Sequence, residues 1–82
     1  SIQLFPNPTI GAVQLAVEGF ETEMADLRIY DLAGRVIQAD RFYTFANGGI
    51  HDLETSDLTA GVYLVEISSE DGKVVREKLV KQ

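Results

Sequence analysis

The chain has 82 residues, a net charge of −6 and no cysteine. This length allows one domain, residues 1–82, with an expected stability on the order of 5–10 kcal/mol. The acidic balance argues against nucleic-acid binding, and the lack of cysteine excludes disulfides, a thiolate nucleophile and cysteine-bound metal centres. Apolar runs are only a few residues long, so no membrane span is predicted.

Alternation of apolar and polar residues, bounded by glycine, asparagine and aspartate, predicts strands along most of the chain. Seven strands are predicted, near residues 2–5, 12–18, 26–31, 35–44, 49–53, 61–68 and 74–80. Turn signals between them predict an all-β, immunoglobulin-like antiparallel sandwich. Residues 19–25 are also compatible with a short helical turn.

The first residues form a stretch that cannot lie in a central strand. Pro6 and Pro8 each remove a backbone donor and push the preceding residue toward extended geometry. We therefore expect an edge or a rigid lead-in, followed by a bend at Gly11 into the second strand.

Two hairpins share one turn pattern, in which a turn-favouring residue is followed three positions later by glycine. A three-residue loop with a left-handed glycine sets Asp31 opposite Arg35, and Ile29 opposite Ile37. In the second hairpin, a two-residue loop would place like charges opposite each other, which disfavours it. The predicted pairs there are Ile67 with Val75, Tyr63 with Leu79, and Glu66 with Arg76.

Residues that carry catalytic chemistry are scarce. His51 is the single histidine and is predicted to face solvent, and no serine lies in a nucleophile elbow. Asp52, Glu54 and Asp57 lack the pattern of a calcium-binding loop and are predicted to be solvated. We therefore predict no enzyme activity, no cofactor and no metal site.

Charge and aromatic residues are unevenly distributed. Residues 73–82 hold four of the seven basic residues and one of the thirteen acidic ones. This pattern is compatible with a solvated strand or with a basic strand offered to an acidic receptor. Phe42, Tyr43 and Phe45 are predicted to divide between core and surface, and a carbohydrate- or protein-binding patch is the alternative.

Four sequence elements resemble, in order and spacing, those of the C-terminal sorting domain of the type IX secretion system, type A. Residues 5–11 are similar to F/Y-P-N-P-x-x-G, and residues 29–36 to hydrophobic-x-D-x-x-G-R/K-hydrophobic. Residues 57–65 are similar to D-L-x-x-G-x-Y-hydrophobic, and residues 78–82 to K-hydrophobic-hydrophobic. Residues 38–56 match no element of the family. The motif positions are Phe5, Pro6, Asn7, Pro8, Gly11, Asp31, Gly34, Arg35, Asp57, Leu58, Gly61 and Tyr63.

The resemblance implies a domain excised from the end of a larger secreted protein. The outer-membrane translocon would recognise it after the cargo reaches the periplasm, and a sortase-like peptidase would remove it. The cargo would then be secreted or held at the cell surface. We expect the final hairpin to be recognised, with Arg76, Lys78 and Lys81 steering and Leu79 and Val80 docking, or a strand edge to pair with a receptor strand.

The alternative is an accessory immunoglobulin-like module of a surface enzyme, which binds carbohydrate or spaces domains. That reading predicts one exposed aromatic platform built from Phe42, Tyr43 and Phe45. The domain is expected to be a monomer or a weak edge-to-edge dimer, because isolated β-domains often keep an open edge.

Overall fold

The computed structural model describes residues 1–82, and its regular structure is β apart from one 3-10 turn at Ala46–Gly49. One antiparallel sheet has the strand order β1-β2-β5 and the other the order β4-β3-β6-β7. The predicted antiparallel sandwich of seven strands is confirmed. The strands are β1 Ile2–Phe5, β2 Ala12–Val17, β3 Met24–Tyr30, β4 Val36–Tyr43, β5 Ile50–Glu54, β6 Gly61–Ser69 and β7 Val74–Lys81.

The core lies between the two sheets and takes every second residue of the central strands. In β3 and β6, buried residues alternate with half-buried ones along most of the strand. These two strands supply six of the fourteen core residues, and a fully buried aliphatic side chain contributes about 1.5–3 kcal/mol. The residues with no exposed surface in the core are Leu15, Ile29, Val65, Ile67 and Leu79.

The β6–β7 hairpin has the predicted register. Ile67 pairs with Val75, Tyr63 with Leu79, and Glu66 with Arg76. The Gly72 amide donates to the Ser69 carbonyl at 3.1 Å, and Gly72 has a φ of 90°. The left-handed glycine of a three-residue loop is therefore present, as the sequence predicted.

The β3–β4 hairpin closes as predicted but then changes register. The Asp31 amide donates to the Arg35 carbonyl at 3.0 Å, which confirms that pair. The expected pairing of Ile29 with Ile37 is wrong, because a bulge at this point sets Ile29 opposite Gln38. The extra residue in β4 brings Phe42 opposite the buried Ala25, where it packs against the core.

Two further expectations concern the strand ends and edges. The helical turn considered for residues 19–25 is not formed, since β3 begins at Met24. Pro6 and Pro8 follow the edge strand β1, as predicted.

At the other sheet, β4 is an edge strand whose outer side has no neighbouring strand. The fold contains no helix long and apolar enough to cross a membrane.

Candidate functional site

The four sequence elements, which are far apart in the chain, meet at one end of the sandwich. Residues 5–11 contact the end of β7, and residues 57–63 lead into β6 beside it. Residues 31–35 close the hairpin at the same end, next to Tyr63 and Lys78. We call this region, residues 5–11, 31–35, 57–63 and 78–82, the motif end. Ser1 lies at the opposite end, where its ammonium donates to the Glu18 carbonyl at 2.6 Å.

Asn7 binds the outer edge of β7 through its side chain. Its Nδ2 donates to the Lys78 carbonyl at 2.7 Å, and its Oδ1 accepts from the Val80 amide at 2.9 Å. A carboxamide carries one donor side and one acceptor, as a peptide group does. Asn7 therefore occupies the place that a residue of a neighbouring strand would take on this edge.

Thr9 continues the same contact with its backbone. Its amide donates to the Val80 carbonyl at 2.8 Å, and its carbonyl accepts from the Gln82 amide at 2.8 Å. These bonds form a parallel bridge between Thr9 and Lys81. The first and last sequence elements are thus joined by hydrogen bonds. We call Asn7 and Thr9, together with their hydrogen bonds to the end of β7, the edge clamp.

The edge clamp obstructs one of the predicted modes of partner binding, the pairing of a receptor strand with the edge of β7. A receptor strand that adds to a sheet edge needs free backbone amides and carbonyls. Along residues 78–82 the outward-facing groups of Val80 and the carbonyl of Lys78 are already bonded to Asn7 and Thr9. A receptor strand could add to this part of β7 only after the hydrogen bonds from Asn7 and Thr9 had broken.

Alternation along β7 divides the five predicted recognition residues between two faces. Leu79 is fully buried in the core and Lys81 is 7% exposed. Arg76, Lys78 and Val80 face outward, and Arg76 and Lys78 are exposed. The structure therefore leaves three of the five accessible in the folded domain.

Lys81 is held inside the motif end by a carbonyl. Its Nζ donates to the Thr55 carbonyl at 2.8 Å, and the Thr55 hydroxyl donates to the Gly11 carbonyl. The Ser56 hydroxyl and amide lower the pKa of Glu54, and the Lys81 ammonium adds a smaller effect in the same direction. Lys81 thus ties β7 to the loop that precedes β6.

The outer face of the four-stranded sheet carries residues that the sequence reasoning did not select. Tyr30, Val62 and Leu64 are half-buried there, beside Arg76 and Lys78. Together they line an open groove of about 590 Å³. The available signal was that β6 is apolar at Val62 and Leu64 as well as at its core positions. An outward strand face in a sandwich is usually polar.

Asp31 organises the turn of the second sequence element. Its carboxylate accepts from the Arg35 and Ala33 amides at 3.0 and 2.9 Å and pairs with the Arg35 guanidinium at 2.7 Å. The Arg35 amide bond is the main cause that lowers the pKa of Asp31 below its ordinary value of 3.8, while partial desolvation opposes it. Gly34 completes the turn with a φ of 83°.

The third sequence element packs beside this turn. The Tyr63 hydroxyl donates to the Thr59 carbonyl at 2.6 Å, and Leu58 packs against the core. A second open groove, of about 500 Å³, lies between this loop and the turn. Its lining includes the motif residues Asp31, Arg35, Asp57, Leu58 and Tyr63.

His51 is not the solvent-facing residue that was expected. It pairs with the buried Leu15 and so lies on the inner side of its sheet. Its ring meets that of Phe42 edge-on, with centroids 4.5 Å apart, and its Nε2 is 3.3 Å from the Thr44 carbonyl. The reason is that β5 and β4 are edge strands of opposite sheets, and His51 fills the space between them.

The remaining candidates form no catalytic or metal-binding arrangement. No group of three or more histidine, cysteine or acidic side chains is placed to hold a metal ion. Asp52 and Glu54 are exposed, and they bond to Gln14 and Ser56 respectively. Asp57 is exposed in the loop before β6. These carboxylates are solvated, as predicted.

The aromatic residues at the end of β4 and just beyond it divide between core and surface, as predicted. Phe42 is half-buried against the core, whereas Tyr43 and Phe45 are 61% and 59% exposed. Tyr43 and Phe45 share a shallow depression with Glu23 and Ala46. The three aromatics therefore do not form the single exposed platform that an accessory carbohydrate-binding module would require.

Comparison with known proteins gives the same assignment as the four elements. A family described as the secretion system C-terminal sorting domain matches residues 3–82. The chain is also 22% identical over 80 residues to the ulvan lyase NLR42 of Nonlabens ulvanivorans. That alignment covers 98% of the chain but 14% of the lyase, so the chain spans about one seventh of this relative. The chain belongs to the family of type IX secretion system C-terminal sorting domains.

Proposed function

We propose that the outer-membrane translocon of the type IX system recognises the motif end while the domain is folded. The observation that carries this proposal is the convergence of all four sequence elements on one end of the sandwich. Residues needed only for folding would be expected throughout the core. Here Asn7, Arg35 and Asp57 are exposed at the same end.

The position of Ser1 supports attachment of a cargo on the opposite side. The first strand starts beside Gly19, where the Lys73 ammonium also bonds to the Gly19 carbonyl at 2.5 Å. A cargo domain joined before Ser1 would leave the motif end free for a receptor. The much greater length of the ulvan lyase is in keeping with a large protein that carries a domain of this kind.

The domain itself acts in this proposal as a ligand and a substrate, and not as a catalyst. After passage of the outer membrane, a sortase-like peptidase removes it, and the cargo is released or attached to the cell surface. The family assignment supports the sorting role, and the solvated carboxylates and inward His51 offer no arrangement for catalysis.

The test is a secretion assay in a host that has the type IX system. The chain is fused behind an N-terminal export signal and a fluorescent reporter, and a host that lacks the translocon serves as the control. Reporter at the surface or in the medium only when the translocon is present supports the proposal. Reporter retained in the periplasm of both hosts, with the domain folded, contradicts it and favours the accessory-module alternative. The mass of the exported reporter shows whether the domain has been removed.

A further inference from the structure

We infer that the outer face of the four-stranded sheet docks a protein surface in which carboxylates surround an apolar centre. The docking surface consists of Tyr30, Val62, Leu64, Arg76, Lys78 and Val80, and we call it the cationic–apolar face. The inference rests on the proposed function. It extends the contact surface from Val62, Lys78 and Val80 of the motif end to Tyr30, Leu64 and Arg76 on the adjoining sheet face.

The apolar centre of this face is continuous across three strands. Tyr30 pairs with Leu64, and Leu64 pairs with Lys78. Val62 pairs with Val80 in the adjacent row. Paired residues in antiparallel strands project on the same side, so these side chains form one patch. The outer face of the other sheet mixes the polar Gln14, Asp52 and Glu54 with the apolar Phe5, Ala16 and Ile50, and β1, β2 and β5 contain no lysine or arginine. An apolar centre beside cations is therefore confined to the four-stranded sheet.

The cations on this face are in excess of the acids. Glu66 accepts from Arg76 at 2.9 Å and from the Tyr30 hydroxyl at 3.2 Å, and it lies 4.0 Å from Arg28. Its charge is therefore already matched within the sheet. Lys78 has no carboxylate within 4.0 Å, so its ammonium is available to a partner.

Charge complementarity decides the class of partner. The chain as a whole carries a net charge of −6, and a cationic surface on an acidic domain restricts binding to an anionic counterpart. The apolar centre favours a protein over a polyanion such as a surface polysaccharide, because Leu64 and Val80 gain free energy by leaving water. The edge clamp also makes the side chains of this face more accessible to a partner than the β7 backbone at residues 78–82.

The experiment compares matched pairs of variants in the secretion assay described above. Lys78→Glu is compared with Arg41→Glu, which makes the same charge change on the same sheet but near the opposite end. Arg41 is ion-paired with Asp26 and Glu70, so its reversal is the harsher change for the fold and a demanding control for the loss of export. Val80→Ser is compared with Val74→Ser, which lies on the same strand and the same face. Thermal unfolding of each purified domain confirms that it is folded before export is scored.

We expect Lys78→Glu and Val80→Ser to lower export about tenfold or more, and each control to stay within about twofold of the unchanged chain. If the unchanged chain is exported and all four variants match it, the inference is wrong while the proposed function stands. If the unchanged chain is not exported in a translocon-dependent way, the proposed function fails first.

A crosslinking arm identifies the partner class. A photo-crosslinking residue replaces Leu64 on the cationic–apolar face or Gln14 on the opposite sheet, in the exported fusion. An adduct at position 64 alone that is digested by protease supports a protein partner. An adduct at position 64 that resists protease and is removed by polysaccharide cleavage overturns that assignment. Equal adducts at both positions overturn the docking surface.

Discussion

Replacing Asn7 tests whether the edge clamp holds β7 in place. Asn7→Ala removes two hydrogen bonds, one to the Lys78 carbonyl and one from the Val80 amide. Each such bond contributes about 0.5–1.5 kcal/mol, so the sum is about 1–3 kcal/mol. Because Asn7 is exposed, water replaces part of both bonds, and we expect the lower half of that range.

The free energy of unfolding is measured by urea denaturation followed by circular dichroism. A loss of 1 kcal/mol lowers the melting temperature of a domain of this size by about 4–8 °C. The control is Gln3→Ala, which removes an exposed amide side chain that makes no hydrogen bond and should change stability by less than about 0.5 kcal/mol.

Hydrogen exchange locates the effect. The Val80 amide has Asn7 Oδ1 as its acceptor, so its exchange should become fast in Asn7→Ala. Asn7→Asp keeps that acceptor but places a second oxygen against the Lys78 carbonyl, so Val80 should stay protected while stability falls. An unchanged exchange rate for Val80 in Asn7→Ala would show that the clamp does not hold this strand.

Three further predictions concern residues of the motif end. Leu79→Ala should cost about 2–5 kcal/mol in urea denaturation, since Leu79 has no exposed surface, and Val80→Ala should cost markedly less; equal costs would contradict the two-face assignment. The lowered pKa of Asp31 stabilises the fold fully above its ordinary value of 3.8, and this stabilisation is lost as pH falls through the lower folded value. The stability difference between the unchanged chain and Asp31→Asn should therefore shrink on acidification from about pH 5 to about pH 2, and a constant difference would refute the cause given. Acetylation of the native domain should modify Lys78 and spare Lys81, and equal modification in peptide mass spectra would contradict the burial of Lys81.

The parts of the fold that depend on neighbouring residues were predictable. The β6–β7 register follows from one turn glycine and from opposite charges at Glu66 and Arg76, all within a short stretch of chain. The inward position of Leu79 was also available, because it was paired with Tyr63 and paired residues share a face. The same alternation places Leu79 and Lys81 on the inner side, so only Arg76, Lys78 and Val80 of the predicted recognition residues face outward in the folded domain.

The parts that depend on packing between distant segments were not predictable. The bulge in β4 is chosen because it sets Phe42, and not Arg41, on the inner side of the sheet beside Ala25. No local pattern distinguishes this register from the regular one. The inward position of His51 arises only when the two sheets pack against each other. The same is true of the hydrogen bond between Asn7 and Lys78, which are 71 positions apart in the sequence.

Because of the edge clamp, the motif end can form only after nearly the whole domain has been synthesised. The contact from Asn7 reaches a residue 73 positions later, so the first element stays unpaired until Val80 has left the ribosome. A product that stops before Val80 lacks the hydrogen bonds between Val80 and both Asn7 and Thr9, and it lacks the Val80 side chain of the cationic–apolar face. Such a product cannot form the complete motif end. Under the proposed function, a cargo protein truncated before Val80 would therefore lack a complete sorting signal.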